Sequence, residues 1–238
     1  LPGLIDAHSH IFLHPYNETL WNDQVLKEPL GYRMAEAVAH AAATLRAGVT
    51  TTRDLGTEGA LDNDVQLKRA IQRGVVPGPR MIVVTRAIVA TGAYGPRRAG
   101  YAFDPPQGAE EASGADEIAR IARSQIGRGA DWVKVYADYG VGPSGQAMAT
   151  FTVDELRAAV DAARGYGRPV AAHASTAEGM RRAILAGVET VEHGDAGTPE
   201  IFRLMKEHGV TLCPTLAAGE AYAQYFQGWI KGKGAVPR

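Results

Sequence analysis

The chain has 238 residues, 45 % hydrophobic and 21 % charged, which is a globular composition with ample material for a core. A formal net charge of −1 gives no electrostatic ground for a nucleic-acid partner or an anionic membrane surface. No apolar run reaches the roughly 18 residues of a membrane span, and the single cysteine, Cys213, excludes an intrachain disulfide framework.

Leu1-Pro2-Gly3 leads at once into Leu4-Ile5-Asp6-Ala7-His8-Ser9-His10, and nothing in it resembles a signal peptide. A mature chain and a segment of a longer one would read alike here, so the compartment stays open. The stretch from Leu4 reads as a short apolar strand ending in His-x-His. Side chains two apart on a strand share a face, so His8 and His10 would converge at the strand's C-terminal end. Two imidazoles aimed at one point suit a divalent transition metal, although two ordinary polar residues at a strand end would give the same pattern.

One rhythm then repeats along the chain, a helical stretch closed by Gly followed by a β-branched run. Gly48 precedes Val49–Thr52, Gly74 precedes Arg80–Val84, and Gly129 precedes Trp132–Tyr136. Gly167 precedes Pro169–His173, Gly187 precedes Thr190–His193, and Gly209 precedes Val210–Cys213. The runs read as buried parallel strands. Between them, Ala35–Arg46 is a helix, Thr152 opens another that runs on through Leu156–Arg164, and Thr198-Pro199-Glu200 starts a third with Pro at its first position.

Alternating strands and helices predict an α/β fold with a parallel sheet. No Gly-x-Gly-x-x-Gly follows the first strand, so the dinucleotide-binding version has no support. The expected architecture is a (β/α)8 TIM-type barrel over residues 1–238, with functional residues at the C-terminal ends of its strands. Only seven strands are counted, so the barrel is expected to be partial, closed by more chain or by a partner. Two regions break the rhythm. Residues 91–113, rich in Gly and Pro, are read as an active-site loop insertion, and residues 138–149 as a second loop. Residues 224–238 read as a loop leaving the structure.

Three later strands carry His8-like positions: Lys134, His173 and His193 each fall at or near a strand end. For Lys134 the plain alternative is a barrel lysine paired with a carboxylate, since a buried lysine needs some partner. Tyr136 shares a face with Lys134 and either lines a pocket or packs in the barrel. His14, His40 and His208 are not read as ligands: His40 lies inside an alanine-rich helix and His208 at a helix C-terminus. Cys213 reads as a small buried hydrophobe. Asp54 and Asp195 are either partners of metal-bound imidazoles or helix caps.

Taken together, His8-Ser9-His10, Lys134, His173 in Ala-His-Ala and His193 in Val-Glu-His-Gly-Asp resemble the amidohydrolase superfamily. More narrowly they are similar to its imidazolonepropionase-like and prolidase-like (Xaa-Pro dipeptidase type) branch. Thr50-Thr51-Thr52-Arg53-Asp54-Leu55-Gly56, Pro77-Gly78-Pro79-Arg80, Gly129–Lys134 and Ala177-Glu178-Gly179-Met180 resemble phrases of that branch.

The resemblance implies two divalent metal ions, with zinc the expected element among several that such ligands accept. His8 and His10 would hold one, His173 and His193 the other, and Lys134, carboxylated by carbon dioxide, would bridge them. It implies a metal-dependent hydrolase that cleaves amide or peptide bonds of dipeptides or N-acyl amino acids through a metal-bound hydroxide. Lactone, cyclic-amide or phosphotriester cleavage on the same metals is the alternative reaction, and a non-catalytic metal-binding fragment or degenerate paralogue the alternative of another class. The expected partner is a small-molecule substrate, with a homo-oligomer allowed.

The chain departs from the branch in three respects. The strand-eight Asp and the small β-sandwich of the family are not found. A Thr-Gly-Gly-His-Gly phrase is replaced by Thr91-Gly92-Ala93-Tyr94-Gly95, which makes Tyr94 the expected oxyanion donor. The Tyr that some peptidase relatives carry two residues after the strand-five His is Ser175 here. Arg97 and Arg98 are the candidates for capturing a substrate carboxylate.

Overall fold

A computed structural model describes residues 2–225. The chain opens with β1 (Leu4–Ser9), α1 (Trp21–Lys27) and α2 (Leu30–Arg46), followed by β2 (Val49–Asp54), α3 (Asn63–Gln72), β3 (Arg80–Val83), β4 (Ile88–Ala90) and β5 (Glu110–Ala112). It continues with α4 (Ala115–Arg128), β6 (Val133–Tyr136), a hairpin of β7 (Asp138–Tyr139) and β8 (Met148–Ala149), and α5 (Val153–Arg164). Then come β9 (Val170–Ala174), α6 (Ala177–Ala186), β10 (Thr190–His193), α7 (Pro199–His208), β11 (Thr211–Cys213) and α8 (Leu216–Tyr225).

The strands order as β1-β2-β3 and β11-β10-β9-β6-β4-β5, and every pair outside the hairpin is parallel. β3 bonds to β2, whereas β4, a few residues on, bonds to β6. Thr85, with φ of 64°, lies in the bend between them. The amides of Asp131 and Trp132 donate to Val83 O at 2.8 and 3.3 Å and join the two sheets at the same place. The bent strand therefore links both sheets into one parallel arc, a partial TIM-type barrel, with seven strand positions from β1 to β11 and the short β5 paired in addition on β4. Among the described residues no strand pairs the outer edges of β1 and β11, and Leu4 and Ile5 on β1 are 62 % and 72 % exposed.

Packing follows from the sequence pattern. β6, β9 and β10 are buried along almost all of their length, and one cluster packs their apolar face, Val133, Val135, Ala172 and Val191, against Ile118, Ile121, Leu156, Met180 and Ile184 of the surrounding helices. Each large aliphatic side chain so buried contributes roughly 1.5–3 kcal/mol. A second cluster joins Ala37, Ala41 and Leu67 of α2 and α3 to Met81 and Val83 of β3. Helix ends are set locally. Thr152 and Glu155 form a reciprocal capping box, Thr198 Oγ1 accepts from Ile201 N behind Pro199, and Gly129 ends α4 at φ of 114°, where an L side chain would be strained. No helix among the described residues is long and apolar enough to cross a membrane.

Three elements differ from the sequence reading. β4 is a separate three-residue strand, because the turn at Thr85 breaks the run that begins at Arg80. β5 lies inside the segment read as loop; its Glu110 and Glu111 are poor strand formers, held instead by Arg86 and Arg98. α1 was not anticipated. The tail reading falls mostly outside the described residues, and its first two residues, Gln224 and Tyr225, close α8.

Arg33 of α2 fixes the loops that follow β1 and β2. It is 1 % exposed and makes no direct ion pair among the described residues; its guanidinium donates to Phe12 O, Thr57 O and Glu58 O at 2.8–3.3 Å. Arg33→Leu would leave those three buried carbonyls without donors. A stability loss of about 3–5 kcal/mol is expected, read as a lower thermal and denaturant midpoint.

Candidate metal centre

Strand alternation and parallel register bring four imidazoles to the C-terminal end of the arc. His8 ends β1 and His10 follows it, His173 is on β9 beside Glu192 of β10, and His193 closes β10. Ring centroids lie 5.3 Å apart for His8 and His10, 5.0 Å for His8 and His193, and 4.6 Å for His173 and His193. Lys134 of β6 is 0 % exposed, and its Nζ has no hydrogen-bond partner. The amine sits 5.5 Å from the Tyr136 ring centroid, on the same face of the strand. The carboxylate partner allowed for it in the plain reading is therefore not bonded to it. A cavity of about 250 Å³ lined by His10, Leu13, His14, Pro15 and Tyr16 opens beside His10.

Each imidazole is held from behind through one ring nitrogen. His8 Nδ1 is 2.8 Å from Glu192 Oε2, His10 Nδ1 is 2.9 Å from Gly56 O, and His193 Nδ1 is 2.7 Å from Thr215 Oγ1. His173 Nε2 faces Asp138 Oδ1 at 3.5 Å, and its ring is stacked on Tyr136 with centroids 4.6 Å apart and planes 16° apart. Glu192 is fully buried and also accepts from Arg53 at 2.8 Å and Thr190 Oγ1 at 2.6 Å, while Arg53 lies over the Trp132 ring. Asp138 accepts from the amides of Ser175 and Thr176 and is pressed against Gly179, where a Cβ would collide with it.

These partners leave one nitrogen of each ring for a cation, with a basic amine lacking any acceptor among the described residues close by. Four imidazoles and an orphaned, fully buried lysine fit a pair of divalent metal ions, because a cationic ammonium without acceptors is costly there and a neutral amine or its carbamate is not.

The other expected site residues fall in different places. Tyr94 is buried, but its hydroxyl donates to Glu58 Oε2 at 2.7 Å, so the expected oxyanion donor has its proton engaged elsewhere. Arg98 gives both ends of its fork to Glu111 at 2.7 Å, and its Nε to Asp104. Arg97 is exposed and gives one nitrogen to Gly140 O at 2.6 Å, tying the two long loops together. Tyr136 lines the centre through its stack on His173. His14 lies within ion-pair distance of Glu18, Glu28 and Glu36, and His40 Nδ1 lies 2.9 Å from Ile11 O.

Neither aspartate caps a helix. Asp54 is fully buried and accepts from Ile11 N at 3.2 Å, while Asp195 is exposed and α7 is capped by Thr198. Cys213 is only half-buried, within 4.8 Å of the His8 and Glu192 ligand atoms. Sequence reasoning passed over Glu58, Arg53, Asp138 and Glu192. Only Glu192 had a local signal, its place next to His193.

The amidohydrolase family model matches residues 1–223. Ochratoxinase from Aspergillus niger is 30 % identical over 256 residues, covering 97 % of this chain and 51 % of its own length. A Xaa-Pro dipeptidase crystal structure with methionine bound in the active site superposes with a TM-score of 0.83 at 34 % identity, covering 95 % of this chain and 56 % of that one. A prolidase complexed with N-methylphosphonate-L-proline superposes with a TM-score of 0.82 at 29 % identity, covering 96 % and 56 %. The chain spans about half the length of the curated relatives it matches.

The site's electrostatics favour uncharged rings. Burial first, and then the Lys134 charge, lower His8 from 6.5 to about 2 against the pull of its Glu192 hydrogen bond. Burial likewise takes His193 to about 4 and His173 well below its ordinary value. Burial lowers Lys134 from 10.5 to about 8, with the Glu192 charge opposing. Burial alone would raise Glu192, but the His8 hydrogen bond and the Lys134 and Arg53 charges hold it at about 2. His8 is thus a neutral imidazole donating Nδ1–H to a carboxylate, which frees Nε2 as a ligand atom.

The same shifts set a pH dependence for the metal-free protein. Below pH 6.5 the unfolded chain protonates His193, whereas the folded chain does so only near pH 4, so stability falls as pH drops through that window. The loss from this ring is on the order of 3 kcal/mol. The thermal midpoint of chelator-treated protein should fall over that range, and fall less in His193→Gln.

Proposed function

The chain belongs to the amidohydrolase family, and we propose that the protein is a metal-dependent hydrolase of dipeptides or N-acyl amino acids. The observation that carries the reading is the Lys134 amine, wholly buried without a hydrogen-bond partner beside three hydrogen-bonded imidazoles and a fourth, His173, that faces Asp138. In this reading His8 and His10 would hold one divalent ion and His173 and His193 the other, with carboxylated Lys134 as a shared ligand. When bound, the metal pair acidifies a coordinated water and polarises the scissile carbonyl.

The chain's own residues do the rest. Burial lowers Lys134 to about 8, against the opposing Glu192 charge, which brings within reach a neutral amine that would add to carbon dioxide and release one proton to become a carboxylate-like ligand. Glu192 and Arg53 fix the His8 tautomer and plane. Tyr136 forms the wall against which His173 stacks and a bound substrate would rest. Arg97, exposed and anchored by one nitrogen on Gly140 O, offers the remainder of its fork to a substrate carboxylate. The ligands in the related dipeptidase and prolidase structures, methionine and an N-phosphonylated proline, are of that carboxylate-bearing kind and support the assignment.

The test uses the full-length protein, loaded with zinc, manganese or cobalt, on Xaa-Pro dipeptides and N-acyl amino acids. Lys134→Ala should lose bound metal and at least about a thousandfold in kcat/KM. Absence of hydrolysis by every metal-loaded form defeats the reading. Arg97→Ala should raise KM roughly tenfold for substrates with a free carboxylate and leave their carboxamide analogues unaffected.

A further inference from the structure

Glu58 lies in the connection between β2 and α3, 3 % exposed, with its carboxylate facing the back of the centre. Oε2 is well satisfied, accepting from Tyr94 OH at 2.7 Å and Trp21 Nε1 at 3.0 Å. Oε1 is not: it has the Tyr136 hydroxyl at 3.4 Å and His10 Nδ1 at 3.9 Å. His10 Nδ1 is closer to Gly56 O, at 2.9 Å, so the imidazole does not answer the charge. Among the described residues no lysine or arginine nitrogen pairs with this carboxylate, and Arg33 bonds to the Glu58 carbonyl instead. The backbone at Glu58 is left-handed, with φ of 50°.

A buried carboxylate that has no lysine or arginine in ion-pair contact, feels Arg33 and Lys134 only at longer range, and is carried on a strained residue is poorly explained by packing, where an apolar or amide side chain would serve better. Its position explains it. Oε1 looks toward His10 on one side and, through Tyr136, toward the stacked ring of His173 on the other. These two imidazoles belong to opposite halves of the centre.

We propose that Glu58 is a positioning residue of the metal centre, whose carboxylate, without a lysine or arginine in direct contact, helps retain bound cations and holds Tyr136 against His173. The inference rests on the metal-centre reading above and extends it to a residue that touches neither metal nor substrate. The rival role is mechanical, a polar peg joining Trp21, Tyr94 and Tyr136. Glutamine, of the same shape and with an acceptor oxygen, would fill that role as well as glutamate.

The experiment compares wild type, E58Q and E58D as full-length proteins stripped with chelator and titrated with Co²⁺, following the visible absorption of the bound ion and the Co²⁺ content. E58Q should bind Co²⁺ roughly ten- to a hundredfold more weakly, with E58D recovering part of the loss because it keeps the charge. Metal-free E58Q should melt at a higher temperature than metal-free wild type, since a buried unpaired charge has been removed, and should gain less on adding Co²⁺. Equal Co²⁺ affinity and spectrum in E58Q and wild type overturn the proposal while leaving the metal centre intact. E58Q that melts lower than wild type without metal also overturns it, in favour of the peg. If E58Q does not fold, E58D decides: affinity no closer to wild type than that of E58A overturns the charge role. A wild-type protein that takes up no Co²⁺ defeats the metal-centre reading itself, and this inference with it.

Discussion

The arrangement at the mouth of the arc depends on one constraint: a lysine amine placed where nothing accepts its protons. Lys134 is enclosed by an apolar strand, and its Nζ has no partner. Burial of that kind disfavours the ammonium form, and an uncompensated buried charge would cost several kcal/mol. The cost disappears when the nitrogen becomes neutral or is converted to an anion beside cations. The imidazoles nearby are disposed alike, with His8, His10 and His193 each engaged through Nδ1 from behind and burial lowering the pKa of His8, His173 and His193.

The order in which these demands are met runs from the back of the site to the front. Glu192 is the pivot, because it joins His8 to Arg53 and Thr190 in a network that is closed to solvent. Glu192 is ion-paired with Arg53, whereas Glu58 has no lysine or arginine in direct contact. In the metal-centre reading the two carboxylates would serve different ends, Glu192 by orienting His8 and Glu58 by adding negative charge near the imidazoles.

The parts of this that were legible in the sequence are the periodic ones. The Gly-terminated helices and β-branched runs located the seven strands of the arc, and period-two alternation put His8 beside His10 and Tyr136 on the face of Lys134. The parts not legible are those in which distant loops meet. Glu58, Arg33 and Asp138 lie in connections or at element ends with no periodicity, and only the fold shows that they converge on the ends of other strands. Arg98 misled for a related reason. Its fork suits a carboxylate, and the carboxylate it found is Glu111, thirteen residues away in its own loop. Tyr94 was read from a local phrase, but the direction of its hydroxyl is set by a glutamate from another connection.

Backbone strain follows the same geography. The non-glycine residues with positive φ are Glu58, Leu61, Thr85, His193 and Thr215, all among the described residues. Each lies at or just beyond the C-terminal end of a strand, in the connections after β2, β3, β10 and β11 or, for His193, as the last residue of β10. Left-handed backbone costs of order 1 kcal/mol or more at a non-glycine residue, and it persists only where surrounding contacts over-determine it. At His193 the contact is the Nδ1 link to Thr215, which is itself left-handed, so two strained residues on neighbouring strands brace one another across a hydrogen bond of 2.7 Å. At Glu58 it is the grip of Arg33 on the Thr57 and Glu58 carbonyls. Strain concentrated on one end of a sheet whose other end shows none is the mark of an end shaped for chemistry, with the helices and strand starts supplying the stability that holds it in place.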